Sequence, residues 1–166
     1  MKMNRISLGL VGSFMLLISA CQSTSVISQT DKRIEMADAF FEAMFKEDRQ
    51  AVIALMTEAS IVHAPYNPNG DASDAGIRTF PARLYVLGAM RTYDNLKWEN
   101  KKYSLSDSGQ TLWVEANGKL SVAQTGKPYH NRYVFKIDFE NDKIATITEY
   151  TNVATLAKHG VVAGAN

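Results

Sequence analysis

The spacing of hydrophobic positions changes along this chain, and each change predicts a different kind of element. From Asp31 onward Ile34, Ala37, Phe40, Phe41, Met44 and Phe45 recur at three- and four-residue intervals. That spacing gathers bulky groups onto one helical stripe and predicts a helix capped by Thr30 or Asp31. A second, shorter helix is predicted over Asp48 to Met56, with Val52, Ile53, Leu55 and Met56 as its buried face, so that the two form a hairpin. Ser60 to His63 is short, apolar and β-branched, and Pro65 and Pro68 stop it, which predicts a strand running into a loop. The stretch Tyr66 to Gly76 is the richest in Pro, Gly, Asn and Asp and reads as a mobile loop. Thr79 then caps a third helix, with Pro81 early and Phe80, Leu84, Leu87 and Met90 as its stripe.

The C-terminal half switches to period two. Strand-like runs cover Leu96 to Leu105, Thr111 to Ala123, Tyr129 to Phe139 and Ile144 to Thr151, with turn residues at Asp107 to Gly109, Thr125 to Pro128 and Glu140 to Asp142. In the third run Tyr129, Asn131, Tyr133, Phe135, Ile137 and Phe139 share one face, and His130, Arg132, Lys136 and Asp138 fall mostly on the other. One face packs and one meets water or a partner. Short connections make the sheet antiparallel, and three helices in the N-terminal half cover one side of it, so the fold class is α+β.

The first twenty-one residues decide where such a domain works. Lys2 and Arg5 precede an uncharged apolar stretch from Ile6 to Ala20, too short and too terminal for a membrane-spanning helix and suited to an export signal. Ile18-Ser19-Ala20-Cys21 resembles a lipobox, which implies cleavage before Cys21 and acylation of that cysteine. Cys21 is the only cysteine, so no disulfide can form within the chain. Gln22 in place of Asp at the next position implies sorting to the outer membrane, facing the periplasm, in proteins of that kind. The expected division is 1–20 as signal, 21–30 as a polar tether, 31–158 as one domain and 159–166 as a tail. The formal charge of the whole chain is +1, which gives no basis for nucleic-acid steering.

Helix, helix, strand, loop, helix and four long strands is an order similar to the nuclear transport factor 2-like superfamily, which includes SnoaL-like polyketide cyclases and ketosteroid isomerases. Met56-Thr-Glu-Ala-Ser-Ile-Val-His-Ala-Pro65 resembles that family's first strand and its exit. Gly126-Lys-Pro-Tyr-His-Asn-Arg-Tyr-Val-Phe135, followed by Asp142-Lys-Ile144 and Glu149-Tyr150, resembles its closing hairpin. The resemblance implies a cone-shaped, curved antiparallel sheet wrapped around three N-terminal helices, a cystatin-like roll. It also implies an apolar pocket inside the cone, and often a homodimer through the outer sheet face. A ketosteroid isomerase uses a carboxylate base with a Tyr and a protonated Asp facing the oxyanion. Against that pattern this chain places His63 or Ala64, Phe40 or Phe41, and Phe135, so steroid isomerisation by that mechanism is excluded.

Among the residues that remain, His63 stands at the strand exit as the candidate base. Tyr133 and Tyr150 are candidate donors, and Phe41, Phe45, Tyr66, Leu87, Trp98, Trp113, Asn131 and Phe135 are candidate pocket residues. Glu149 alternates with Tyr150, so only one of them can face the cavity. Three widely spaced histidines do not propose a metal site, and no phosphate-cradling glycine loop or cysteine nucleophile proposes a cofactor or covalent chemistry. Two readings follow. One is a lipid-anchored envelope module that binds a small apolar molecule or a partner protein. The other is a cofactor-free acid/base enzyme acting on an apolar carbonyl compound, with His63 as base. The shortage of carboxylates at the expected positions favours the binder.

Overall fold

A computed structural model of the chain describes residues 18–65 and 78–158. Most of the expected signal, the loop Tyr66 to Gly76 and the tail from His159 lie outside the described residues. The elements are α1 (Ile18–Phe45), α2 (Arg49–Ala54), β1 (Met56–Ala64), β2 (Arg78–Pro81), α3 (Ala82–Thr92), β3 (Tyr93–Leu105), β4 (Thr111–Val122), β5 (Pro128–Glu140), β6 (Lys143–Thr151) and α4 (Val153–Lys158).

The first helix is longer than its periodic stripe. It starts at Ile18 and runs through the polar segment expected to be a tether, so neither Thr30 nor Asp31 caps it. Its buried stripe is Arg33, Ala37, Phe40, Phe41 and Met44. Phe45, one position past the stripe, is 40% exposed. A left-handed Glu47 ends the turn after α1, and the Asp48 carboxylate caps α2 by accepting from Ala51 N at 3.0 Å. The chain becomes a strand by Met56, earlier than the spacing of Leu55 and Met56 implied. The third helix begins at Ala82, because Arg78–Pro81 pairs with β1 as a short strand and Pro81 stands at the N-cap. Its buried stripe is therefore Ala82, Val86 and Met90, with Leu84 turned to solvent.

The six strands form one sheet in the order β2-β1-β6-β5-β4-β3. The hairpin pairs are antiparallel as expected, but β1 lies parallel to β6. The sheet is mixed, because the long passage through α3, β3, β4 and β5 lets the chain return in the same direction. Two bulges interrupt β3, between Asp94 and Lys97 and between Glu99 and Lys102. They carry Asn95 and Asn100 in the left-handed region, at φ 54° and 53°, a conformation asparagine tolerates. Such bulges bend a strand and increase its twist, which suits a sheet curving around α1 and α3.

The core fills the space between that curved face and the helices, with Leu96, Leu112, Val114, Phe135, Ile137 and Ile144 buried. Arg33 ties α1 to two sheet turns from within this layer. Its guanidinium donates to Gly109 O at 3.4 Å and Asp142 Oδ1 at 3.3 Å, and lies 4.6 Å from the Phe139 ring centre.

Candidate functional site

The stripe of α1, the inward faces of β5 and β6 and the inner edge of α3 converge on one cavity. Phe40, Phe41 and Met44 line it from α1, and Val62 from β1. Tyr85, Val86 and Ala89 close it from α3, and Trp98, Phe135, Ile147 and Glu149 from the sheet. Its volume is about 40 Å³, where one water needs about 10–15 Å³ on the same measure. The rings interlock around it. Phe41 lies 5.2 Å from both Trp98 and Phe135, centre to centre, and Trp98 meets Phe135 edge-on at 6.0 Å.

Glu149 is the one charged residue among these lining groups. Alternation along β6 carries it to the face of Ile147, and it sits in register opposite Phe135 of β5. The Tyr85 hydroxyl donates to Glu149 Oε2 at 3.2 Å. The residue as a whole is half-buried, yet loss of hydration around the carboxyl pushes its pKa up to about 7, against the smaller downward pull of the Tyr85 bond. The carboxylate in turn raises the phenols facing it. Burial first, and then Glu149, lift Tyr85 well above the usual value; burial and the surrounding phenols and carboxylate do the same for Tyr93 and Tyr133.

Trp98 lines the cavity beside Phe41. Its Nε1 is buried and has no hydrogen-bond partner among the described residues. Directly opposite it on β4 is Gly118, where a Cβ would come within 2.4 Å of the Tyr133 ring. A glycine there lets Tyr133 pack closely behind the indole, the two rings standing edge to face at 6.3 Å.

The structure redistributes the residues expected to form the site. Phe41, Trp98 and Phe135 line the cavity. His63 does not, because Val62 takes the inward position; the imidazole Nδ1 instead pairs with Thr79 Oγ1 at 2.9 Å across the β1–β2 ladder. Tyr150 turns outward with Trp113, the two rings stacked at 6.3 Å, and Trp113 is 39% exposed. Phe45 is exposed at the end of its helix, and Leu87 packs on the core beside the cavity. Tyr133 and Asn131 are buried two and four residues before Phe135 on the same face of β5, where Asn131 Nδ2 donates to Tyr129 Oη and Thr151 Oγ1, each at 2.6 Å. Tyr66 lies outside the described residues. The sequence reading passed over Glu149 and Tyr85. A signal for Glu149 is present: Ile147 two residues before it fixes the parity of β6, but beside a tyrosine a glutamate reads as the outward member.

Among the described residues no three His, Cys, Asp or Glu side chains gather as metal ligands, and no helix is long and apolar enough to cross a membrane.

The sequence profile of the SnoaL-like domain family matches residues 37–147. The chain belongs to the SnoaL-like domain family. A comparison with curated proteins finds no match. Solved structures share the fold of this SnoaL-like domain. One is a proposed isomerase from Bacillus subtilis, 20% identical, with a TM-score of 0.69 over 83% of this chain and 99% of that one. Another is a phenazine biosynthesis-related protein from Pseudomonas aeruginosa, 17% identical, with a TM-score of 0.64 over 87% and 94%. A third is a nuclear transport factor 2-like protein from Burkholderia xenovorans, 21% identical, with a TM-score of 0.59 over 78% and 95%. At these identities the likeness shows the architecture, and the chemistry has to be read from this chain's own cavity.

Proposed function

We propose that this SnoaL-like domain is a cofactor-free acid/base enzyme acting on a small, apolar carbonyl compound, with Glu149 as the base. The observation that carries this reading is a carboxyl held by one tyrosine in an otherwise apolar cavity, titrating near neutrality. A base is most effective when its pKa lies close to the working pH, and burial is how a glutamate reaches that range. Glu149 as carboxylate takes a proton from the carbon next to the carbonyl. The C–H pair becomes a carbon–carbon π bond and the carbonyl π pair moves onto oxygen. Return of the proton to the same or a conjugated carbon completes an exchange or an isomerisation with no other reactant. Tyr85 fixes Oε2, leaving Oε1 for the substrate.

The first test is exchange of the α hydrogens of cyclopentanone into D₂O, followed by proton NMR. The wild-type protein is expected to exceed the buffer rate, and Glu149→Gln to lose about 10²- to 10⁴-fold of that excess. An unchanged rate in the variant removes Glu149 from the mechanism. A second reading, binding without turnover, is favoured by the small cavity and its interlocked rings; exchange at the buffer rate in the wild type would select it.

The same proposal places the domain outside the cytoplasm, acylated at Cys21 and held on the outer membrane facing the periplasm. Lys2, Arg5, the apolar stretch, the lipobox-like residues and Gln22 support it. A homodimer through the outer sheet face belongs to the proposal as well, supported by the exposed Trp113 stacked on Tyr150.

A further inference from the structure

The inner face of β4 carries Leu112, Val114, Ala116, Gly118 and Leu120 in alternation. Two small residues between larger ones leave a hollow in the floor of the sheet, and Tyr133 of β5 fills it. Tyr133 stands opposite Ala116, and its ring reaches diagonally over Gly118, where a Cβ would lie 2.4 Å from one ring carbon and 3.1 Å from the next. The ring is held in that seat by its neighbours. Phe135 stacks on it at 5.4 Å with the planes 4° apart, Trp98 meets it edge to face at 6.3 Å, and its hydroxyl is bonded to Tyr129. Phe135 and Trp98 are walls of the cavity, and Tyr133 lies one layer behind both.

In a close-packed interior the position of a back layer fixes that of the layer in front. A Cβ at position 118 would project from the inner face and lift the Tyr133 ring off the sheet toward the helices, driving Trp98 and Phe135 into a space of about 40 Å³. Loss of the ring would let both walls retreat and the space deepen. We infer that Tyr133, seated low over Gly118, determines the size of the substrate and limits it to about one small ring. The inference rests on the proposed function in taking this cavity as the substrate site. Tyr133 is a positioning residue that acts through Trp98 and Phe135, and Gly118 sets its height.

The test compares the binding of cyclopentanone with that of 1-indanone, the same ketone ring fused to a second ring, by ligand-observed NMR titration. The wild type should favour cyclopentanone at least about tenfold, since a single extra methylene is already worth that much in a fitted apolar pocket. Tyr133→Leu should abolish the preference by admitting 1-indanone, whereas Tyr133→Phe, which keeps the ring and loses the hydroxyl, should retain it. Gly118→Ala should weaken cyclopentanone about tenfold. Adding Tyr133→Leu to Gly118→Ala should bring cyclopentanone back to within about twofold of Tyr133→Leu alone, a coupling that general loss of stability does not produce. Circular dichroism melts establish that each variant is folded, and should either single variant not fold, the other decides. The inference is overturned if the wild type binds both ketones equally or binds neither, if folded Tyr133→Leu keeps the wild-type preference, or if folded Gly118→Ala binds cyclopentanone as the wild type does. Because binding is read, selection by size in a wild-type protein that catalyses no exchange would sustain this inference while overturning the proposed enzyme.

Discussion

Glu149 and Tyr85 form a pair whose behaviour with pH can be worked out in sign. Burial raises the Glu149 pKa from an ordinary 4.5 to about 7, so the folded protein holds this proton more tightly than the unfolded chain does. The neutral acid therefore suits the fold at low pH, and stability is lost as pH rises from about 4.5 to about 7, by at most about 3 kcal/mol. Thermal melts between pH 5 and 8 should show this fall in the wild type, and Glu149→Gln should flatten it. Catalytic exchange needs the carboxylate and should rise with pH across the same interval. The bond from Tyr85 favours the carboxylate, so Tyr85→Phe should move the midpoint of the rate profile above 7. A midpoint left in place or lowered would mean that the hydroxyl does not hold the base.

Elements are where the sequence was most legible and where its limits have physical causes. Alternation over Tyr129 to Phe139 identified the buried face of β5 in full, because a strand with one wet face must repeat every two residues. The same rule places Glu149 and Tyr150 on opposite faces but cannot say which is inside; hydrophobicity points to the tyrosine, and a carboxyl bonded to Tyr85 within the cavity breaks that ranking. His63 stands outside this cavity for a related reason: the register of β1, not the chemistry of its exit, puts Val62 inward. The strand β2 and the parallel pairing of β1 with β6 depend on contacts distant in sequence, which no local pattern contains. Arg33 belongs at this scale too: within a helical stripe it looks misplaced, and only the turns at Gly109 and Asp142 explain it. Arg33→Ala should cost about 1–3 kcal/mol in urea unfolding, by removing a buried donor to both turns and its packing on Phe139. Lys32→Ala, which removes an exposed bridge to Asp142, should cost under about 1 kcal/mol. Equal losses would show that the α1 clamp is surface charge alone.

For the whole molecule, the proposed anchor makes a prediction independent of the chemistry. When its host is broken open, the wild-type protein should sediment with membranes and leave them only in detergent, whereas Cys21→Ser should remain soluble or keep its signal uncleaved. A soluble wild type retaining Met1 would end the envelope assignment. The first helix gives that anchor a particular mechanical character. A flexible polar linker of ten residues would wander with an end-to-end distance of roughly 17 Å. Instead Cys21 and Phe41 lie on one continuous helix, so Cys21 and the cavity wall are separated by about 30 Å of rod. In the lipidated protein proposed above, the rod acts as a stalk of fixed length. The cavity can tilt with the stalk but cannot drift along its length, and a stalk standing away from the bilayer would let it sample solutes in the aqueous space more readily than molecules dissolved in the lipid.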